Sequence, residues 1–205
     1  MDAPGHGRQT AVDASLWQAA DLIAAEGGRA DYLGYSMGGR IALHVALAHP
    51  GLVRRLVLVS TTPGIEDLQT RAERRRADDA QADELERDGD VAAFLDRWLA
   101  GPLFASLPRD QAGLDARLTN TAAGLASSLR RAGTGTQDNL WPRLAELAVP
   151  VLVVAGSDDP KYAAIAERMT AAIADARLAL IPAAGHAAHL EQPEAFVEVV
   201  RLFLD

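Results

Sequence analysis

The sequence contains no cysteine among its 205 residues. That absence excludes disulfides, thiolate metal sites and a cysteine nucleophile. Basic residues are also outnumbered by acidic ones, and the net charge is −8. A chain of this charge is a poor binder of nucleic acid or of an anionic membrane surface. We therefore predict no metal, no other cofactor, no nucleic acid and no membrane as partner, and a cytoplasmic location.

Long apolar runs are missing as well. No stretch approaches the ~20 apolar residues of a membrane-spanning helix. The first five residues, Met1–Gly5, lack the basic and apolar regions of a signal peptide. Hydrophobic residues nevertheless make up 49% of the chain, which suffices for a folded core. The length fits one domain of ordinary size, or a domain with a small insert.

Short apolar runs alternate with helical patterns over most of the chain. Buried parallel strands are typically continuous apolar runs of this length, and helices repeat their apolar residues every three or four positions. The predicted strands cover 30–33, 56–59, 149–155 and 177–181, and the predicted helices cover 10–26, 40–47, 162–174 and 193–203. Four strand–helix alternations predict an α/β fold, with a parallel sheet and helices on both faces.

The pattern changes between the second and third predicted strands. Residues 66–90 are dense in charge, which is typical of a solvated helix face, and 91–99 and 114–131 are further helical stretches. No strand alternation occurs there. We predict a helical cap insert over 65–134, with the α/β core formed by 1–64 and 135–205.

The motif Gly-Tyr-Ser-Met-Gly at 34–38 lies between a predicted strand and a predicted helix. In that context the pattern indicates a nucleophile elbow, in which the serine occupies a strained strand-to-helix turn. We expect small residues at 34 and 38 to let neighbouring backbone pass closely. Ser36 then stands above the helix N-terminus, and the Met37 amide points at any oxyanion formed there. A glycine-rich turn with a capping serine is the alternative.

Three polar residues each follow the carboxyl end of a predicted strand. They are Ser36, Asp159 and His186. Because these ends share one edge of a parallel sheet, the three side chains are expected to meet there, in the order Ser…Asp…His that α/β-hydrolases use. His186 would take the proton of Ser36, and Asp159 would orient the imidazole. Asp158 or Asp159 could instead only cap a helix, and His186 could be an ordinary loop histidine, with His189 as its rival.

These motifs resemble the α/β-hydrolase superfamily. The resemblance rests on Gly-Tyr-Ser-Met-Gly-Gly-Arg, on Gly-Ser-Asp-Asp-Pro-Lys-Tyr and on Ala-Gly-His-Ala-Ala-His-Leu-Glu-Gln-Pro. Within that superfamily the chain is similar to the 2-succinyl-6-hydroxy-2,4-cyclohexadiene-1-carboxylate synthase family of menaquinone biosynthesis. The discriminating residues lie in the insert, in 70–74, at Trp98 and in 102–107.

The resemblance implies a lyase that eliminates pyruvate from 2-succinyl-5-enolpyruvyl-6-hydroxy-3-cyclohexene-1-carboxylate, with Ser36 as the base. Because this small-molecule substrate is anionic, local arginines must supply the complementary charge. The implied substrate-binding residues are Tyr35, Arg40, Arg74, Trp98 and Phe104. Arg40 could instead be an exposed residue at a helix N-terminus, Trp98 and Phe104 could be insert core, and Tyr35 could simply pack.

The chain departs from the family at its start. Family members begin with strands that include a His-Gly loop, the source of a second oxyanion amide, and we expect this chain to begin after them. An exposed elbow strand and weakened activity would follow. Two other interpretations stay open: a hydrolase of esters or carbon–carbon bonds with the same triad, and an inactive truncated fragment. The sequence carries no sign of the oligomeric state.

Overall fold

The computed structural model describes residues 1–205 as a parallel four-stranded sheet flanked by helices. The strand order β1-β2-β3-β4 follows the chain, and β1 forms one edge of the sheet. The strands are β1 (Ala30–Tyr35), β2 (Val53–Val59), β3 (Val151–Gly156) and β4 (Ala176–Ile181). All three pairings are parallel, so the carboxyl ends of the strands lie along one edge of the sheet.

Nine α-helices complete the structure. They are α1 (Leu16–Gly27), α2 (Met37–Ala48), α3 (Leu68–Asp88), α4 (Val91–Leu99), α5 (Leu114–Arg117), α6 (Ala122–Ala132), α7 (Pro160–Ala172), α8 (Ala188–Glu191) and α9 (Pro193–Leu204). Short 3-10 turns occupy 7–9, 102–104, 109–111 and 141–146. None of these helices combines the length and the apolar character needed to cross a bilayer.

Apolar side chains of the central strands point alternately to two separate cores. Leu56 and Leu58 of β2 belong to the larger core, together with α1, α2 and α7. Val57 and Val59 belong to the smaller core, which α9 covers with partly buried side chains such as Phe196. This alternation is the expected result of the two-residue period of a strand. The predicted parallel sheet with helices on both faces is confirmed.

Two helix predictions differ from the structure. The first helix begins at Leu16 and not at residue 10, because Ser15 and Gln18 form a capping box in which each side chain accepts from the other's backbone amide. The predicted helix over 114–131 is two helices, since α5 ends at Arg117 and Thr121 caps the start of α6. In both cases a side-chain cap sets a boundary that apolar periodicity does not mark.

The segment between β2 and β3 contains helices and turns but no strand. It has an apolar cluster of its own, formed by Leu85, Phe94, Leu95 and Leu125. Most of its charges are exposed, and several form surface ion pairs, such as Arg97 with Glu84. The division into a core and an insert at 64/65 and 134/135 stays a prediction.

Candidate active site

Ser36 lies between β1 and α2 in a strained backbone conformation. Its φ of 50° and ψ of −111° fall in a region of backbone conformation that residues other than glycine rarely adopt. The turn is tied to the next strand, because the Thr61 hydroxyl donates to the Ser36 carbonyl at 2.8 Å. The Ser36 amide in turn donates to the Val59 carbonyl at 2.8 Å. This geometry lifts the hydroxyl to the carboxyl edge of the sheet.

Close packing at the elbow depends on Gly34 and Gly39. A Cβ on Gly34 would lie 2.2 Å from the Gly38 carbonyl oxygen, and one on Gly39 would lie 2.7 Å from the Thr61 Cβ. A Cβ on Gly38, in contrast, would meet no atom within 4 Å. The expectation of close backbone approach therefore holds at position 34 and is wrong at position 38, where the glycine faces the cavity described below.

The side chains of Ser36, Asp159 and His186 meet at the carboxyl edge. The His186 Nε2 lies 3.1 Å from the Ser36 Oγ, and its Nδ1 lies 3.0 Å from the Asp159 Oδ2. A carboxylate can only accept, so the hydrogen bond to Asp159 places a proton on Nδ1 and leaves Nε2 free to accept from the serine. The imidazole is 1% exposed, which keeps water from competing for either nitrogen.

The two carboxylate oxygens of Asp159 have different partners. Its Oδ2 accepts from His186, while its Oδ1 accepts from the Tyr162 amide at 3.1 Å and caps α7. Burial raises the pKa of Asp159, but the hydrogen bonds from His186 and from the Tyr162 amide outweigh it, so the pKa is lowered overall. The capping interpretation and the orienting interpretation are thus both satisfied by one residue. Asp158 takes no part, and its carboxylate accepts from the Ser157 hydroxyl.

The rival histidine, His189, forms no hydrogen bond with the serine, whose partner is His186. Its ring packs against Tyr35 at 4.3 Å between centroids, and its Nδ1 is buried without a hydrogen-bond partner. Burial lowers the pKa of His189, so the neutral ring is favoured there. Its position suits packing beneath Tyr35.

Glu191 holds the loop that carries His186, and no motif argument identified it. Its two carboxylate oxygens accept from the amides on either side of the histidine, Gly185 at 2.8 Å and Ala187 at 3.0 Å. Hydrogen bonds from backbone amides to a charged acceptor are among the stronger ones in proteins. The residue stands in the quoted His-Leu-Glu-Gln-Pro stretch, and only the folded loop shows what its carboxylate binds.

Aromatic rings enclose the imidazole. Ring centroids lie 4.5 Å away for Tyr162, 5.4 Å for Tyr35 and 5.9 Å for Phe104. Burial raises the pKa of both tyrosines, so their hydroxyls stay protonated and can act as donors. The Tyr35 hydroxyl is buried and has no partner within the protein.

A cavity of about 330 Å³ opens in front of Ser36. All of the residues predicted to bind substrate line it, and so does Met37. They are Tyr35, Arg40, Arg74, Trp98 and Phe104. Met37 is the first residue of α2. The first N–H groups of a helix have no hydrogen-bond acceptor within the helix, so the Met37 amide is free to bind another group. Phe104 is also buried in a small apolar cluster beside Trp98, so lining the cavity and packing are compatible for this residue.

Arg40 is a buried residue, only 8% exposed, and not an exposed one at a helix end. Burial lowers the pKa of its guanidinium to about 10, so it keeps its charge at neutral pH. One terminal nitrogen donates to the Ala132 carbonyl at the last residue of α6. A cation is favoured at that end of a helix. The guanidinium therefore joins α2 to α6 and also lines the cavity.

Several polar cavity residues carried no distinguishing sequence signal. His6 lies in the opening turn, Arg117 ends α5, and Asn120 accepts from the Gly7 amide at 2.9 Å. The Arg117 Nε donates to the Ala112 carbonyl at 2.8 Å. In the sequence Arg117 is one charge among many in a helical stretch, and His6 is one residue of a turn. Only the fold brings them to the site.

The charged lining of the cavity is the reverse of the protein's overall charge. Its charged side chains are three arginines and one aspartate, namely Arg40, Arg74, Arg117 and Asp78. The chain as a whole has a net charge of −8. The site thus combines a serine hydrogen-bonded to a histidine, the first amide of a helix, and a basic cavity. Such a site can bind a polycarboxylate and either remove a proton or attack a carbonyl.

Comparisons with known proteins identify the family. Residues 1–199 match the alpha/beta hydrolase family. A Serratia proteamaculans protein named 2-succinyl-6-hydroxy-2,4-cyclohexadiene-1-carboxylate synthase is 36% identical over 214 residues, which cover 100% of this chain and 81% of the relative. A Bacillus subtilis protein provisionally given the same name is 38% identical over 209 residues, covering 99% of this chain and 76% of the relative.

A solved structure gives the same result. MenH from S. aureus superposes with a TM-score of 0.92 at 36% identity, covering 100% of this chain and 81% of that one. The chain is therefore an enzyme of the alpha/beta hydrolase family, in the branch that holds the 2-succinyl-6-hydroxy-2,4-cyclohexadiene-1-carboxylate synthases.

Proposed function

We propose that the enzyme eliminates pyruvate from 2-succinyl-5-enolpyruvyl-6-hydroxy-3-cyclohexene-1-carboxylate and releases 2-succinyl-6-hydroxy-2,4-cyclohexadiene-1-carboxylate. The observation that carries the proposal is the Ser36–His186 contact of 3.1 Å at the wall of a cavity with three arginines. The names of the relatives supply the substrate. A cytoplasmic location belongs to the same proposal.

Ser36 acts as the base in this mechanism. His186 accepts the serine proton on Nε2, and Asp159 stabilises the imidazolium that forms. The serine oxygen removes the ring proton at C2, which is acidic because it is next to the succinyl carbonyl. The electrons form the C2–C3 double bond, the ring double bond moves to C4–C5, and the C5–oxygen bond breaks. The leaving enolate takes up a proton and becomes pyruvate.

The cavity residues have separate roles in the proposal. The Met37 amide donates to the enolate oxygen that develops on the succinyl carbonyl. Arg40 and Arg74 bind substrate carboxylates, as charge-assisted hydrogen bonds favour. Tyr35, Trp98 and Phe104 form walls that hold the ring and exclude water. Because the reaction has no acyl transfer, the serine stays unmodified.

Pyruvate release measured with lactate dehydrogenase tests the proposal. We expect Ser36→Ala to lower kcat by about 10²- to 10⁴-fold, the usual contribution of a general base. The variant keeps the fold, since alanine experiences the same backbone strain as serine at this position. A wild-type rate no faster than spontaneous decay of the substrate would refute the function, and an unchanged rate in the variant would refute the role of the serine.

Ester hydrolysis is the second candidate, because the same Ser36–His186–Asp159 contacts serve nucleophilic attack. Hydrolysis of p-nitrophenyl acetate, measured on the same preparation, separates the two. The elimination proposal expects pyruvate release to exceed ester turnover by orders of magnitude in kcat/KM. The reverse ranking would favour the hydrolase.

A further inference from the structure

Asp78 is the only acidic side chain that lines the cavity. It is 1% exposed and lies on α3, one turn beyond Arg74. Its Oδ1 accepts from the Arg74 Nε at 2.7 Å. Its Oδ2 is buried and has no hydrogen-bond partner within the protein. A carboxylate is thus held in a basic cavity of about 330 Å³ with one oxygen unpaired.

A buried oxygen of this kind needs a donor. Leaving one lone polar atom unpaired costs stability, and the cost is larger for a charged group. Any side chain at Gly133 would crowd this oxygen, because a Cβ at that position would lie 2.5 Å from the Asp78 Oδ2. The adjacent Thr134 also lines the cavity, and its buried hydroxyl is likewise without a partner. This end of the cavity therefore forms a polar subsite.

The proposed substrate has only one group that fits an acceptor. Its three carboxylates, its ketone and its ether oxygen all accept hydrogen bonds, and they match arginine, hydroxyl and amide donors. The hydroxyl at C6 is its single donor. A carboxylate in the cavity would repel every other polar group of the substrate, so only the C6 hydroxyl can approach it favourably.

We infer that the Asp78 Oδ2 accepts a hydrogen bond from the C6 hydroxyl and selects ligands that carry it. This inference rests on the proposed function and adds a specificity residue to it. The ring carboxylate at C1 is adjacent to C6, as Arg74 is adjacent to Asp78 in the cavity. Because Asp78 occupies the Nε of Arg74, the terminal nitrogens of that arginine are left for the C1 carboxylate.

Two ligands that differ in the hydroxyl test the inference. One is the hydroxylated diene product, and the other is 2-succinylbenzoate, the aromatic acid formed when that product loses water. Dissociation constants come from competitive inhibition of pyruvate release or from calorimetry. We expect wild-type enzyme to bind the hydroxylated ligand about 10- to 100-fold more tightly, the range for a hydrogen bond to a charged group.

The preference should disappear in Asp78→Asn, because the Arg74 Nε can only donate and therefore takes the amide oxygen. The ligand then meets an uncharged NH2 group in place of a charged acceptor. Asp79→Asn, the neighbouring residue outside the cavity, should keep the wild-type ratio. Equal weakening of both ligands by Asp78→Asn would mean that Asp78 only positions Arg74, and would overturn the inference.

The ratio of the two dissociation constants in wild-type enzyme tests the inference without any variant. If wild-type enzyme binds the two ligands equally, the inference falls, even where Asp78→Asn fails to fold. Failure of the proposed function is a different result: wild-type enzyme would then release no pyruvate above the spontaneous rate. Pyruvate release without hydroxyl preference refutes the Asp78 subsite alone.

Discussion

The carboxyl edge of the sheet and the helical segment over 65–134 hold their functional groups in different ways. At the edge, backbone geometry fixes the side chains: Ser36 is strained, Gly34 is closely packed and Asp159 caps a helix. In the helical segment, side chains hold one another through ion pairs such as Arg130 with Glu86, most of them exposed. The comparison suggests that the edge determines the reaction and that the helical segment determines the ligand.

The largest expected effect concerns the edge. In Gly34→Ala the new methyl group would lie 2.2 Å from the Gly38 carbonyl oxygen, so the backbone must move. We expect a loss at the upper end of the range of about 1–3 kcal/mol for overpacking, with a Tm lower by about 6–12 °C in a protein of this size. Thermal unfolding followed by circular dichroism measures it.

Gly38→Ala is the matched control for that prediction. The same methyl group meets no atom within 4 Å there, and alanine favours the helix. Its Tm should stay at or above the wild-type value. Equal destabilisation by the two substitutions would break the claim that packing at the edge is position-specific.

The next effect concerns the helical segment. Arg74→Lys keeps the charge beside Asp78 but loses the planar fork that binds a carboxylate. We expect KM for the cyclohexene substrate to rise about 10-fold or more with a smaller change in kcat. Arg76→Lys, an exposed residue on the same helix, is the control and should leave KM unchanged. A fall in kcat at constant KM would place Arg74 with the reacting groups instead.

Substitution of Glu191 should have a smaller effect than that of Arg74, and it should lower kcat without changing KM. Glu191→Gln keeps one acceptor oxygen and loses the other, so one of the two amides that flank His186 is left unpaired. We expect kcat to fall about 5- to 10-fold, in line with the loss of a single hydrogen bond. KM should be unchanged, because Glu191 lies outside the cavity lining.

Glu194→Gln, at an exposed position near the start of α9, provides the comparison for Glu191. Reaction of Ser36 with phenylmethylsulfonyl fluoride supplies a second readout, and it should slow in proportion to kcat. A rise in KM in Glu191→Gln without slower serine modification would contradict a role in positioning the histidine.

The smallest effect is a pH dependence of stability. Burial lowers the pKa of His44 and of His189 below the ordinary value of 6.5. As the pH falls through 6.5, the unfolded chain takes up protons that the folded protein does not, so folding stability declines. Urea unfolding at pH 7.5 and pH 5.5 should show this decline. Equal or greater stability at pH 5.5 would contradict this prediction, because neither buried histidine nor the carboxylates of the ion pairs gain stability as the pH falls.

Sequence reasoning succeeded where backbone rules apply. The ends of parallel strands must share an edge, and this rule predicted the meeting of Ser36, Asp159 and His186 from positions far apart in the chain. Sequence reasoning was less successful where a side chain sets the boundary of a helix. The Ser15 cap moved the start of α1, although its Ser-x-x-Gln spacing is visible in the sequence.

The helical segment was harder to interpret at the level of single residues. In 66–90 the sequence shows many charges with weak apolar periodicity, so nothing distinguishes Asp78, which is buried, from Asp83, which is exposed. Arg117 and Glu191 posed the same problem. Whether a charged residue faces solvent, a cavity or a loop amide depends on tertiary contacts, and spacing along the chain does not contain that information.

Arg40 has a consequence for how the enzyme can evolve. Its guanidinium both lines the cavity and fastens α2 to the end of α6. We expect a mutation there to alter the cavity and to weaken the packing of α2 against α6 at the same time. Arg74 is held only by an acid one turn away on its own helix. New substrate preferences in this branch are therefore expected to arise first at position 74, while position 40 should diversify late.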